Sequence, residues 1–194
     1  IAALALTACA SGAGDAGGDA AASSEVGPIT EGKLTIATGE PAFAPWVIDN
    51  EPENGEGFEA AVSYAVADKL GYSKDDVVWV RSTFDAAIAP GPKDFDLNIQ
   101  QFSVTPERAK AVDFSSPYYE TTQAVVAAKG SKAAAATSIA DLKDAVIGVM
   151  SGTTSLKAAE DVIAPSSDVQ VFNDNVDAVT ALQNGQVDAL VVDL

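Results

Sequence analysis

One local phrase occurs twice in this 194-residue chain and limits its fold more than any other feature. A helical pattern, a short turn and an aspartate lead into a buried-strand run, at Asp96 in the first half and at Asp188 in the second. Strand and helix patterns alternate around both copies. In the first half, residues 33–37, 77–80 and 96–100 read as strands. Phe58, Val62, Ala65, Val66 and Leu70 recur at helical spacing, with Gly71 as a C-cap. A short helix from Phe84 to about Ala89 is broken by Pro90-Gly91-Pro92, where fixed φ and lost donors end it. In the second half, residues 122–128, 146–150, 169–172 and the run from Ala189 read as strands. Helices are expected at 139–143 behind Ser138, from Ser151-Gly152-Thr153-Thr154 to about Ile163, and at 176–183. Residues 129–137, rich in Ala, Ser and Lys, read as a surface loop. The alternation predicts right-handed crossovers around mostly parallel sheets, and its repetition predicts two similar α/β lobes rather than one sheet. The cleft between such lobes, where the carboxyl ends of strands converge, is the expected ligand site.

Composition removes several function classes. With 47% hydrophobic and 20% charged residues the chain can build real cores, and a net charge of -17 argues against nucleic acid or an anionic membrane surface as partner. There is no histidine and Cys9 is the sole cysteine, which excludes His-based zinc sites, His-based nucleophile triads and an internal disulfide. No cofactor or metal is implied. The acidic run Asp49, Glu51, Glu53 and Glu56 lacks the spacing of an EF-hand loop and reads as a solvated loop rather than a calcium-binding module.

The amino end carries its own signal. An apolar run ends in Leu6-Thr7-Ala8-Cys9, which resembles the lipobox of bacterial lipoproteins and implies lipidation at Cys9. Eight apolar residues are far short of the ~20 that a spanning helix needs. Residues 1–9 are therefore expected to be part of a signal peptide and residues 10–31, mostly Ala, Gly, Ser and Asp, a flexible tether. At the other end residues 186–194 read as a buried strand, and the natural protein is expected to continue beyond it.

The chemistry concentrates between Gln101 and Tyr119. Arg108 ends a Ser/Thr-lined turn, and a buried guanidinium presents a planar fork that fits a carboxylate bidentately while nearby hydroxyls complete its hydrogen bonds. The same residues also make a helix start, with Thr105 as N-cap and Pro106 at the first position, which would leave Arg108 on a solvated face. The pattern S-x-T-x-x-R at Ser103, Thr105 and Arg108, followed by Asp113-Phe114-Ser115-Ser116-Pro117-Tyr118-Tyr119, resembles the extracytoplasmic solute-binding proteins of polar amino-acid ABC transporters, family 3.

That resemblance covers about Gly32 to Leu194 and implies the type II periplasmic-binding-protein fold, an α/β architecture with a mixed, mostly parallel sheet flanked by helices in each lobe. Lobe 1 is expected at 32–121 and lobe 2 at 122–194, with the return crossover to lobe 1 missing. The resemblance implies that Ser103 and Arg108 clamp a ligand carboxylate, that Thr154 completes the clamp, and that Asp193 pairs with the ammonium. Gln101 matches a backbone contact to the α-amino group. Phe43 and Phe84 match two aromatic walls on the ligand's side chain, Glu40 reaches its polar end, and Trp46, Met150 and Thr153 are candidates for the pocket lining. A phosphate loop at 150–155 is disfavoured because no Gly-Lys-Ser/Thr follows.

The implied function is to bind a polar amino acid and deliver it to ABC transporter permease subunits. Glu40 disfavours an acidic side chain by like-charge repulsion, which points to a basic amino acid or glutamine. The expected protein is an extracytoplasmic monomer held to the membrane through Cys9 and not an enzyme. The alternatives are a dehydratase acting on a cyclic acid such as prephenate or arogenate, and an amino-acid sensing module.

Overall fold

The computed structural model describes residues 27–194; the Cys9 lipobox and most of the expected tether lie outside them. Seven strands form two separate sheets. In the first, β1 (Leu34–Thr38) lies between β2 (Val77–Arg81) and β3 (Leu97–Asn98), all parallel, in the order β2-β1-β3. All five residues of β1 are buried, as befits a central strand covered on both faces. The crossovers carry α1 (Phe58–Lys69) and α2 (Phe84–Ile88).

The second sheet has the order β4-β7-β5-β6, built from β4 (Gln123–Ala127), β5 (Ile147–Met150), β6 (Gln170–Phe172) and β7 (Ala189–Asp193). β5 runs parallel to β6 and β7, while β4 is antiparallel to β7. Its helices are α3 (Thr154–Ala158), extended by a π turn at Ala159–Ile163, and α4 (Asn175–Gln183). Ile147, Val149, Ala189 and Val191 pack with Leu142, Ala159 and Ile163, and Ala178, Ala181, Val187 and Leu190 form a second cluster. In the first sheet the buried cluster is Leu34, Ile36 and Ala67, with Val77, Trp79 and Ile99 against it.

The two repeated aspartates do the same work. Thr35 N donates to Asp96 Oδ2 at 2.8 Å and Asp96 N donates to Thr35 O at 2.9 Å. In the second sheet Val146 N donates to Asp188 Oδ2 at 2.9 Å and Asp188 N to Val146 O at 2.8 Å. Each carboxylate thus clips the strand it precedes to the start of a neighbouring one.

Two expectations need correction, and α1 packs on a face that its apolar spacing does not mark. The α1 helix forms, but Phe58, Ala65, Val66 and Leu70 are exposed, and its buried face is Glu59, Ala60, Ser63 and Ala67. The small residues Ala60, Ser63 and Ala67 recur at helical spacing on the packed side, where a flanking helix approaches its sheet closely. Residues 129–137 are not simply a surface loop: Lys132–Ala135 is a 3-10 turn, and Ala133 is buried in the second-sheet core. Ile29, within the expected tether, is held to the first sheet by donating from its N–H to Asp96 Oδ1 at 2.7 Å. Among the described residues no helix is long and apolar enough to cross a membrane.

Candidate functional site

The site gathers at the carboxyl ends of β1, β2 and β3, facing the turn that follows β5. Beyond β3 the chain continues through Gln100 and Gln101 to Ser103. Gln101 sits at φ +52°, in the left-handed region that a non-glycine residue rarely adopts. Glu59 explains how that turn is held. Its carboxylate is fully buried and accepts hydrogen bonds from Gln101 N at 2.8 Å, from Gln101 Nε2, and from Tyr118 Oη at 2.5 Å. Burial raises its pKa, against the lowering effect of those bonds. The Gln101 side chain therefore turns toward Glu59.

Arg108 sits in a Thr105-capped turn with its guanidinium directed back along the chain rather than out to solvent. Thr105 caps the turn, since its Oγ1 accepts from Arg108 N at 3.2 Å, and Arg108–Lys110 forms a single 3-10 turn. The Arg108 guanidinium folds back, so that Nη1 donates to Ser103 O and Nη2 to Gly152 O, both at 2.8 Å. Its Cζ lies 5.4 Å and 5.3 Å from the ring centroids of Phe84 and Phe102, which stack on each other at 4.1 Å. Cation–π attraction draws the guanidinium toward the two rings. Burial lowers the Arg108 pKa, and the negative charge of Asp193 opposes that shift.

The second sheet supplies the facing wall. Thr154 Oγ1 is 3.3 Å from Ser103 Oγ, and Ser151 Oγ donates to Asp85 Oδ2 at 3.3 Å. Gly152 has φ +70°, and a Cβ there would collide with the Asp85 carboxylate. Glycine is what allows this close approach. Thr153 serves as the N-cap of α3: its Oγ1 accepts from Leu156 N at 3.1 Å and donates to Met150 O at 2.8 Å. Met150, the last residue of β5, is half-buried beside it. Asp193 ends β7 opposite Gln123, whose Nε2 donates to its Oδ1.

The remaining expected residues separate. Glu40 follows β1; its Oε1 accepts from Asn50 Nδ2 at 3.0 Å and its Oε2 lies 3.4 Å from Arg81 Nε. Phe43 is exposed in the same loop. Trp46 instead joins an aromatic cluster with Phe58 at 5.8 Å and Tyr119 at 5.0 Å, centroid to centroid, on the side where the chain crosses between sheets. Glu59, Arg81, Asp85 and Phe102 are site residues that sequence reasoning missed. Phe102, inside the quoted Gln101–Arg108 turn, was open to inference as an aromatic next to the clamp; the others carry no local signal.

Two open α/β sheets whose carboxyl-end loops meet face to face define the type II periplasmic-binding architecture. Residues 34–164 match the bacterial extracellular solute-binding proteins, family 3, and the chain belongs to that family. It is 29% identical over 193 residues to a probable histidine-binding protein of Neisseria gonorrhoeae, covering 98% of this chain and 67% of the relative. It is also 29% identical over 156 residues to the L-arginine-binding protein of Pseudomonas aeruginosa, covering 79% and 58% of the two chains. Among solved structures, an ancestral arginine-binding protein bound to glutamine superposes with a TM-score of 0.71 at 35% identity, over 84% of this chain and 70% of that one. An ancestral amino acid-binding protein described as a precursor of cyclohexadienyl dehydratase gives 0.69 at 32%, over 84% and 71%. The chain thus spans about two thirds or less of the length of these curated relatives, and 46% of a probable amino-acid ABC transporter periplasmic-binding protein of Sinorhizobium fredii.

Proposed function

We propose that this protein binds a polar amino acid, basic or glutamine, between its two sheets and delivers it to the permease of an ABC transporter, without transforming it. The observation that carries this reading is the Arg108 guanidinium, held over Phe84 and Phe102 and reaching Gly152 in the facing wall. In this reading the ligand carboxylate takes the place of the Gly152 carbonyl at Nη2 and is completed by the Ser103 and Thr154 hydroxyls, which already lie 3.3 Å apart. A guanidinium suits this exchange because its fork bonds a carboxylate bidentately. Asp193 takes the ammonium, so opposite charges of one zwitterion are gripped from the two sides. Contacts to both walls are complete only when the walls are together, and binding stabilises that state by its differential affinity. Relatives named for binding arginine, histidine and glutamine support the ligand class. Lipidation at Cys9, anchoring the protein outside the cytoplasm as a monomer, belongs to the same reading.

Calorimetry with arginine, lysine, histidine and glutamine tests it. A dissociation constant of about 1 μM or tighter, equivalent to about 8 kcal/mol, is expected for at least one of the four. No measurable heat with any of them contradicts the reading.

A further inference from the structure

We propose that Arg81 sets the ligand class by neutralising Glu40, so that the cleft selects a neutral amide side chain over a cationic one. This rests on the amino-acid-binding reading above and narrows it. Glu40 and Gly39 follow β1 at the carboxyl end of the sheet, and a Cβ on Gly39 would come within 3.0 Å of Gln100 Nε2, at the start of the segment that carries Ser103. Gln100 Nε2 also reaches Ser82 O at 3.4 Å, two residues before Phe84. Glu40 thus lies outside the Arg108 cluster but in the loop beside the segment that leads to Ser103. Unpaired, its carboxylate would attract an arginine or lysine side chain.

It is not unpaired. Both of its oxygens are engaged, Oε2 by Arg81 Nε and Oε1 by Asn50 Nδ2. Arg81 is held in turn: Nη1 donates to Gly39 O at 2.7 Å and to Asn50 Oδ1 at 2.9 Å, and Nη2 donates to Asn50 O at 2.6 Å. Its side chain is 27% exposed against 56% for Glu40, so it is the better-anchored partner. A cationic ligand side chain arriving at Glu40 meets a second cation that cannot step aside without breaking its bonds to the 39–50 loop, and like-charge juxtaposition works against it. Of the other first-half carboxylates here, Asp85 already accepts from Ser151 Oγ, and Glu59 is buried against Gln101 and Tyr118. An amide pays no such penalty, because its NH₂ donates to a carboxylate lone pair and the group carries no charge.

Calorimetry on the intact protein with arginine, citrulline and glutamine tests the proposal, since arginine and citrulline share length and shape and differ in charge. Wild-type protein is expected to bind glutamine and citrulline about tenfold more tightly than arginine (1.4 kcal/mol). Arg81→Met is expected to move the arginine-to-citrulline ratio toward arginine by about tenfold. Arg81 also ties the 39–50 loop, so Glu40→Gln provides a second measure: with Arg81 unbalanced, arginine is expected to weaken further relative to citrulline. Tighter binding of arginine than of citrulline and glutamine by the wild type overturns the proposal while amino-acid binding stands. So does a ratio unchanged in both variants. Failure of every amino acid to bind the folded protein overturns that reading, and this proposal with it.

Discussion

Glu59 joins three pieces of the site: the first turn of α1, the left-handed turn at Gln101, and Tyr118 on the chain leading to the second sheet. Its burial raises its pKa above the ordinary 4.5, so Glu59 takes up a proton more readily in the folded chain than in the unfolded one. A carboxyl of this kind contributes most to stability below its unfolded pKa, and the contribution is lost as pH rises through the raised folded value. Glu59→Gln removes that titration. Urea titrations of the two proteins, from neutrality to about pH 4, are expected to show the wild type gaining stability relative to the variant as pH falls. A difference that stays flat contradicts the assignment. At this scale the Arg108 cluster was legible because Ser103, Thr105 and Arg108 form a motif. Glu59 was not, because an acid in the first turn of a helix ordinarily faces water and the helix dipole. Here the helix start is pressed onto the preceding loop, with Glu59 N donating to Trp46 O at 3.0 Å, and the carboxyl has nowhere to go but inward.

Elements were legible where periodicity and punctuation agreed. The strands appear where β-rich runs lie between turn residues, and the Asp96 and Asp188 phrases mark matching clips in the two sheets. The packed face of α1 was not legible because its apolar periodicity runs mainly through side chains that stay exposed, whereas contact with the sheet selects the small Ala60, Ser63 and Ala67. Ala133 was missed because an alanine in a Lys/Ala/Ser-rich stretch has no pattern to distinguish core from surface. The aspartate clips make their own prediction. Removing the side chain in Asp96→Ala or Asp188→Ala leaves the N–H of Thr35 or Val146 without its carboxylate, at a cost of about 1–3 kcal/mol. Both variants are expected to lower the urea midpoint with an unchanged slope. An unchanged midpoint in either would mean that its aspartate does not secure its strand.

The whole molecule brings two similar sheets together through few contacts: Arg108 to Gly152, Ser103 to Thr154, and Ser151 to Asp85. All three lie at the proposed site, so a ligand there acts on the relation between the sheets rather than on either sheet alone. The architecture was legible from the repeated phrase, whose two aspartates head matching strands in the two sheets. The pairing of Glu40 with Arg81 was not, because the two residues are separated by α1 and meet only when β1 and β2 lie side by side. The most direct test of the central claim is a melting-temperature screen of wild type and Arg108→Lys against the twenty amino acids. The wild type is expected to rise with at least one polar amino acid, since ligand at ~100 times its dissociation constant adds about 2.7 kcal/mol. The lysine variant, which keeps the charge and loses the fork, is expected to show no rise; no rise in the wild type, or an equal rise in both, would contradict the account.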